Sequence, residues 1–551
     1  SEDVVREVSS VAGGNPLTLL EVVEALAERE RTRARRAGAD PDAAGAPSPV
    51  EDDSLPPSLE EVLTARLEAL APEARNLLRW CSLCEAELSI DLIDQLGGDG
   101  GARVRVRLVS DGILVHTGND TNDEGRAVLA FAHPMLARVA RASIEPTVIP
   151  AMHARVAELL ERRKGVRAAP AALAALARHR EAAGADRPAA RSWLEAAAQY
   201  VASGSSPEEA MRAYGRVMAL CRSATDVEGY ALRAAAHAGR EDLARASGST
   251  RARRAELIAL REVAVEARDP RLVAQALTRQ ARFKLETYAS DVDRDAVAAV
   301  RAARRADDQR TEAEARWVLA VHRGRRGMLR EALTELDAAL GALDKADADA
   351  APRGAPDEAV RAARALRVEV LLAKASFLRW TGEVSEAVAA AAKAYGLAVT
   401  HGHRRLLGPV YDELGMSCLA QGGYADALRF LRASLAVERE VGGRSRIAGT
   451  LVRAASAWWA LGFFDRALAW VQRARDTLAS LGRAGPSAVA AEVYVSLAEL
   501  LVERGDVEGA AEAIDHARES VGAVESRHTL YRVCLGDARV LMARRQHRDA
   551  R

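Results

Sequence analysis

Lysine is almost missing from this chain. Of 78 basic residues only five are lysine (Lys164, Lys284, Lys345, Lys374 and Lys393), which leaves 73 arginines. Such a bias reads as the product of a GC-rich bacterial genome rather than as a binding code. The bases are matched by 78 acids, so the net charge is zero. That balance excludes an extended electropositive footprint for nucleic acid or a membrane surface. Cysteines number only five, an odd count that makes no disulfide framework and favours a reducing compartment, the cytoplasm. No apolar run reaches the roughly 18 residues that span a bilayer; the longest candidate, 168–177, is broken by Pro170. The opening residues Ser-Glu-Asp-Val-Val-Arg-Glu lack the architecture of a signal peptide.

Catalytic signatures are also lacking. There is no Gly-x-x-x-x-Gly-Lys-Ser/Thr loop to cradle phosphates. No Ser/His/Asp, Cys/His or paired-carboxylate arrangement stands out among eleven scattered histidines. Cys81 and Cys84 form a lone Cys-x-x-Cys inside an apolar stretch. Zinc would need a second pair at suitable spacing, so these read as buried structural thiols and no metal is expected.

What the chain does have is length, alanine and a repeat. At 551 residues it is too long for a single core. Aromatics are only 4% against 49% hydrophobic, and alanine-rich sequence punctuated by glycine suits close-packed helices rather than sheet. From residue 320 a register emerges: Gly327, Gly382, Gly422, Gly462 and Gly505 are each followed five residues later by Ala332, Ala387, Ala427, Ala467 and Ala510. Arg545 and Ala550 continue it with arginine in the glycine slot. Seven residues before each turn stands a small residue (Ala320, Ala375, Gly415, Ala455, Ala498, Ala538), and twelve after it another (Ala339, Ala394, Ser434, Ala474, Ala517). Small residues let two helices approach closely, and glycine supplies the backbone angles of the turn between them. Larger residues nine after the turn, such as Leu336, Leu431, Val471 and Ile514, are expected to fill the groove between neighbouring hairpins. The pattern resembles the tetratricopeptide repeat, whose period is about 34 residues; here the later turns are 40, 40, 43 and 40 apart. The wider gap between Gly327 and Gly382 is expected to hold an insertion over 345–356. Weaker copies at Ser205/Ala210, Gly239/Ala244 and Asp291/Ala296 extend the array back to about residue 166. Because it stops mid-repeat, the array is expected to continue past Arg551.

The front of the chain differs. Residues 1–32 read as helices around the turn Gly13-Gly14-Asn15-Pro16-Leu17, and 33–57 as a flexible Ala/Pro/Asp-rich loop. A capping box at Ser58-Leu59-Glu60-Glu61 opens a helix through Leu70, Pro72 starts another, and Ser89 caps a short third with Ile90, Ile93 and Leu96 inward. Helix 102–110 is then followed by two strands, Ile113–His116 and Ala127–Phe131, around a polar turn. Helices closed by a β-hairpin describe a winged helix.

Taken with Leu55-Pro56-Pro57, Ala65-Arg66-Leu67 and Phe131-Ala132-His133-Pro134, this order resembles the lid and winged-helix domains of STAND-type regulatory ATPases (signal-transduction ATPases with numerous domains). The long-period repeats resemble the arrays of the same bacterial regulators. The resemblance implies a predominantly α fold: a lid remnant and loop (1–57), a winged-helix domain (58–165), then a right-handed tetratricopeptide-like superhelix (166–551), weak to 319 and clear from 320. It implies an incomplete ATP/ADP site, with Gly14, Asn15 and Pro16 in the turn against the adenine and His133 reaching the β-phosphate. In this chain Pro134-Met135 follows the histidine where the family commonly has Asp-Leu. The ATPase core would lie upstream of Ser1. A protein or small-molecule inducer on the superhelix would shift an ADP-held resting state to an ATP-bound, self-associating one. The output, a serine/threonine kinase or a LuxR-type DNA-binding module, would lie outside the chain, with no direct nucleic-acid contact from this part. Trp458 is expected to pack within the array, and Trp459 beside it is the candidate partner-binding anchor in the groove. The competing reading is a repeat scaffold that binds partner proteins without nucleotide chemistry.

Overall fold

The computed structural model describes residues 59–84, 88–121, 127–162, 169–289, 291–350, 357–441, 443–480, 487–521 and 526–544. The lid-like turn with Gly14, Asn15 and Pro16 and the loop after it fall outside the described residues, as do Arg545 and Ala550. Of the described residues 84% are helical, in 24 helices beside one two-stranded sheet. It divides into two compact units, 1–256 and 257–551.

The first unit opens with α1 (Leu59–Glu68), α2 (Pro72–Leu83), α3 (Ile90–Leu96) and α4 (Gly101–Ser110). Pro72 and Ser89 start their helices as expected, and the Ser89 hydroxyl accepts from the Leu92 N–H. Strands β1 (Leu114–Thr121) and β2 (Ala127–Phe131) pair antiparallel, with Leu114 opposite Phe131 and His116 opposite Leu129. β1 runs further into the polar turn than the sequence suggests, and the register shifts between His116 and Thr121. Helices α5 (Pro134–Ala142), α6 (Ile149–Arg162), α7 (Pro170–Ala182), α8 (Asp186–Ser203), α9 (Pro207–Leu220) and α10 (Val227–Ala246) follow. One apolar core joins Leu63 of α1, Leu129 of β2 and Leu160 of α6 to Val217 and Ala236. The front helices and the first repeats are therefore packed as one body. Cys81 and Cys84 belong to that core, where burial pushes the Cys81 thiol well above its ordinary pKa.

The boundary of the second unit falls within α11 (Thr250–Ala267), which is followed by α12 (Pro270–Glu286), α13 (Val292–Arg305), α14 (Gln309–Arg325), α15 (Leu329–Ala350), α16 (Asp357–Thr381) and α17 (Val384–Thr400). Then come α18 (Arg404–Ala420), α19 (Tyr424–Val441), α20 (Arg444–Ala460), α21 (Phe464–Ala479), α22 (Ala488–Arg504), α23 (Val507–Val521) and α24 (Arg527–Ala543). From α14 each even-numbered helix forms a hairpin with the next and also contacts the even-numbered helix of the following hairpin. This is the tetratricopeptide-like architecture the register implied. All five turn glycines adopt positive φ, from 78° at Gly422 to 90° at Gly382. The alanines five and twelve residues after the turns are fully buried, and the one non-alanine among them, Ser434, is 1% exposed. Gly415 carries the packing argument furthest, since a Cβ there would lie 2.7 Å from Leu431 Cγ. The start of the expected insertion is helical, because α15 continues through Ala350.

Upstream the register is less regular, and one weak copy is wrong in detail. Gly239 is not a turn: it lies inside α10, where the Tyr214 ring occupies the space a side chain would need. Turns upstream of Gly327 also use left-handed Arg268, Tyr288 and Asp307, which is why no glycine periodicity marks them.

At Gly505 (φ 84°) nothing lies within reach of an added Cβ, so Gly505→Ala isolates the conformational cost of the left-handed cap. We expect a loss of about 1–2 kcal/mol, read as an earlier denaturant midpoint for this unit.

Candidate functional site

The even-numbered helices line one wall of the second unit. The array coils far enough for Trp380, at the end of α16, to stack on His528 at the start of α24, with ring centroids 4.9 Å apart. On this wall lies a cavity of about 320 Å³, within the range of small-molecule sites. Trp317 of α14 forms one side; Glu369, Leu372, Ala373 and Ser376 of α16 form the next. Pro409, Asp412 and Glu413 come from α18, Ser434 and Glu438 from α19, and Arg446, Thr450 and Arg453 from α20. Four successive hairpins therefore contribute, the third through both of its helices.

The polar groups are tied across neighbouring repeats. Asp412 accepts from Thr450 Oγ1 and Arg453 Nε, both at 2.9 Å, and Arg453 also approaches Glu492 at 3.8 Å. Glu413 accepts from Ser376 Oγ at 2.6 Å and Arg379 Nε at 3.2 Å. Glu438, 1% exposed, accepts from Arg446 Nε at 2.8 Å. Glu369 pairs with Arg282, whose guanidinium lies 5.0 Å over the Trp317 ring. Burial pushes the Glu413 carboxyl above its ordinary pKa, with Arg379 and Ser376 pulling it back. Burial opposes the charge on Arg453, but Asp412 and Glu492 outweigh it and hold the guanidinium firmly protonated.

Backbone chemistry shapes the same wall. Pro409 stands inside α18 and supplies no N–H. Beside it, Gly408 leaves the space that the Glu438 carboxylate fills; a Cβ at 408 would collide with it. Two polar atoms of the lining have no partner within the protein: Trp317 Nε1 and Ser434 Oγ. Buried polar groups are ordinarily hydrogen-bonded, so these two are available to a ligand or a water in the cavity.

Solved structures give this arrangement a context, although no family model and no curated protein matches the chain. A STAND protein with a tetratricopeptide repeat sensor from Pyrococcus horikoshii aligns over 97% of this chain and 71% of its own, with a TM-score of 0.57 at 13% identity. The two share a fold. A Rap protein complexed with competence and sporulation factor aligns over 66% of this chain and 100% of its own (TM-score 0.41, 12% identity). A human IFIT1 dimer with PPP-AAAA aligns over 74% and 93% (TM-score 0.39, 14% identity). Those two superpose too loosely to compare sites.

Among the residues singled out in the sequence, His133 caps α5: its Nδ1 accepts from the Met135 N–H at 3.1 Å, and Pro134 takes the first helical position. With Nδ1 accepting, the neutral ring carries its proton on Nε2. Gly14, Asn15 and Pro16 lie outside the described residues. Trp459 and Trp458 are both half-buried against the same apolar cluster, and neither lines the cavity. Trp458 also receives the guanidiniums of Arg432 and Arg466 over its ring. Sequence reasoning missed Trp317, the Asp412–Arg453 pair, Glu413 and Glu438. One signal was available: Ser434 puts a hydroxyl into a slot filled elsewhere by alanine.

Proposed function

We propose that this chain is the regulatory and sensor portion of a bacterial STAND-type signalling protein. In this reading the repeat array receives a protein or small-molecule inducer, and the helices and hairpin ahead of it couple that event to a nucleotide switch. The observation that carries it is the combination in one fold of a helix-and-hairpin segment with a coiled repeat array whose wall holds a polar cavity. A fold match across 97% of the chain to a STAND protein with a repeat sensor supports it. ATP and ADP would bind between this portion and an ATPase core. His133 fits the role of phosphate donor, because its Nδ1 is engaged at the helix cap and Nε2–H remains the donor. The inducer would act by binding the active conformation better, shifting the population toward it and toward self-association. The output would be a kinase or a DNA-binding module on the same polypeptide, acting in the cytoplasm. No described helix is long and apolar enough to cross a membrane.

The test is made on the product of the complete gene. His133→Ala is expected to release bound ADP faster and raise basal output severalfold. Unchanged basal output and partner binding indifferent to nucleotide would replace this reading with that of a scaffold.

A further inference from the structure

We propose that the cavity between α14 and α20 receives the positively charged end of a peptide, its cationic group among the carboxylates and a backbone carbonyl on Trp317 and Ser434. The inference rests on reading the array as the ligand-receiving part and names the class of ligand. Charge is the first argument. Four carboxylates (Glu369, Asp412, Glu413, Glu438) line the cavity against two guanidiniums (Arg446, Arg453). The flanking Arg282 and Arg379 do not correct the excess, because Glu314, Glu286 and Glu492 stand among the same groups. A cation entering here meets a net negative wall in a partly dry site, where each charge acts more strongly than in water.

The second argument is independent of charge. Ser434 is 1% exposed, lines the cavity and has no hydrogen-bond partner. The four equivalent repeat positions, Ala339, Ala394, Ala474 and Ala517, are alanine, so the packing does not require a hydroxyl. Trp317 offers an indole N–H, a donor only, also unpartnered and also in the wall. A donor that can never accept demands an acceptor on the ligand. A protonated polyamine has none, whereas a peptide carries a carbonyl next to its amino terminus or basic side chain. Leu372, Ala373 and Pro409 add an apolar strip for the intervening carbons. The volume of about 320 Å³ admits two or three residues, so the peptide enters by its end.

The experiment is calorimetric titration of the 551-residue chain without nucleotide. The probes, all C-terminal amides apart from spermidine, are the tripeptide Arg-Leu-Ala, its N-acetylated citrulline analogue, the N-acetylated acidic tripeptide Glu-Leu-Ala, and spermidine. We expect saturable binding of Arg-Leu-Ala, at least tenfold weaker binding of the neutral analogue and of spermidine, and none of the acidic peptide. Ser434→Ala converts the slot to the residue its equivalents carry, so its melting temperature should hold while affinity falls threefold to tenfold. Trp317→Phe should do the same by removing only the donor. Spermidine binding as tightly as the peptide, equal binding of the neutral or acidic probes, or affinity untouched by both variants would each overturn the proposal. So would no saturable binding of Arg-Leu-Ala up to millimolar concentration. Because no nucleotide is involved, such failures leave the switch to be judged by His133→Ala alone.

Discussion

Arg453→Met is expected to cost the second unit about 3 kcal/mol, the low end of what removing one partner of a buried ion pair costs. The low end applies because the pair stands in a cavity wall rather than in a sealed core; the Arg453 side chain retains 22% exposure and that of Asp412 18%. Methionine preserves much of the packing volume, so the loss is chiefly that of a carboxylate left with Thr450 as its remaining partner. Removing Asp412 as well (Arg453→Met with Asp412→Leu) should recover much of the deficit, because an apolar pair of similar volume carries no desolvation penalty. The surface pair Arg404–Glu440, with both side chains more than half exposed, is the control: Arg404→Ala should change stability by no more than about 0.5 kcal/mol. Stability in a repeat array is the sum of local terms, so the measurement is hydrogen exchange resolved by helix. Protection should fall first in α18 and α20. Equal losses in the two single variants, or no recovery in the double variant, would refute the account.

That pair also shows where sequence reasoning ran out. Turns and helix packing were legible because they are governed by local sterics. A left-handed turn wants glycine, and two helices in close contact want small residues at fixed offsets. Gly327 to Gly505 and the buried alanines obey this. Ion pairing is not local. With 78 bases and 78 acids in the chain, no single pair stands out. Yet the partners obey the array: Ser376–Glu413, Arg379–Glu413, Thr450–Asp412 and Arg453–Asp412 are 37, 34, 38 and 41 residues apart, close to one repeat. Hydroxyls and opposite charges offset by one repeat on the even-numbered helices were a second readable signal, beside Ser434. Upstream even the turns escaped notice, because Arg268, Tyr288 and Asp307 tolerate positive φ without announcing it. The helices and hairpin of the front segment were readable from caps and alternation, but their fusion with the first repeats was not. That union depends on buried contacts between segments far apart in the chain, such as Leu63 with the core reaching Ala236.

The second large effect concerns acid. His153 of α6 and His179 of α7 are both buried, and their Nδ1 atoms lie 2.8 Å apart. One ring must donate while the other accepts, so a proton added to the acceptor destroys the bond. Burial, the neighbouring His153, and the charges of Arg178 and Arg141 hold the His179 pKa down to about 4. The folded pKa is thus below the unfolded value near 6.5. The sign follows: stability is fully present above pH 6.5 and is lost as pH falls toward 4, because the unfolded chain binds the proton more readily. At about 1.4 kcal/mol per pH unit the loss amounts to about 3 kcal/mol. Carboxylates titrate in the same range, so the test is a difference. The pH dependence of unfolding is compared between the natural chain and His179→Leu, which should be flatter by nearly one proton between pH 6.5 and 4.5. Identical slopes would refute the assignment. The position gives the effect reach. Arg180, next in sequence, bridges Glu161 of α6 and Ser192 of α8, while Glu181 accepts from Trp193 of α8 and pairs with Arg216 of α9. One turn of α7 therefore fastens the end of the front segment to the first repeats, and acid loosens the fastening at its buried centre.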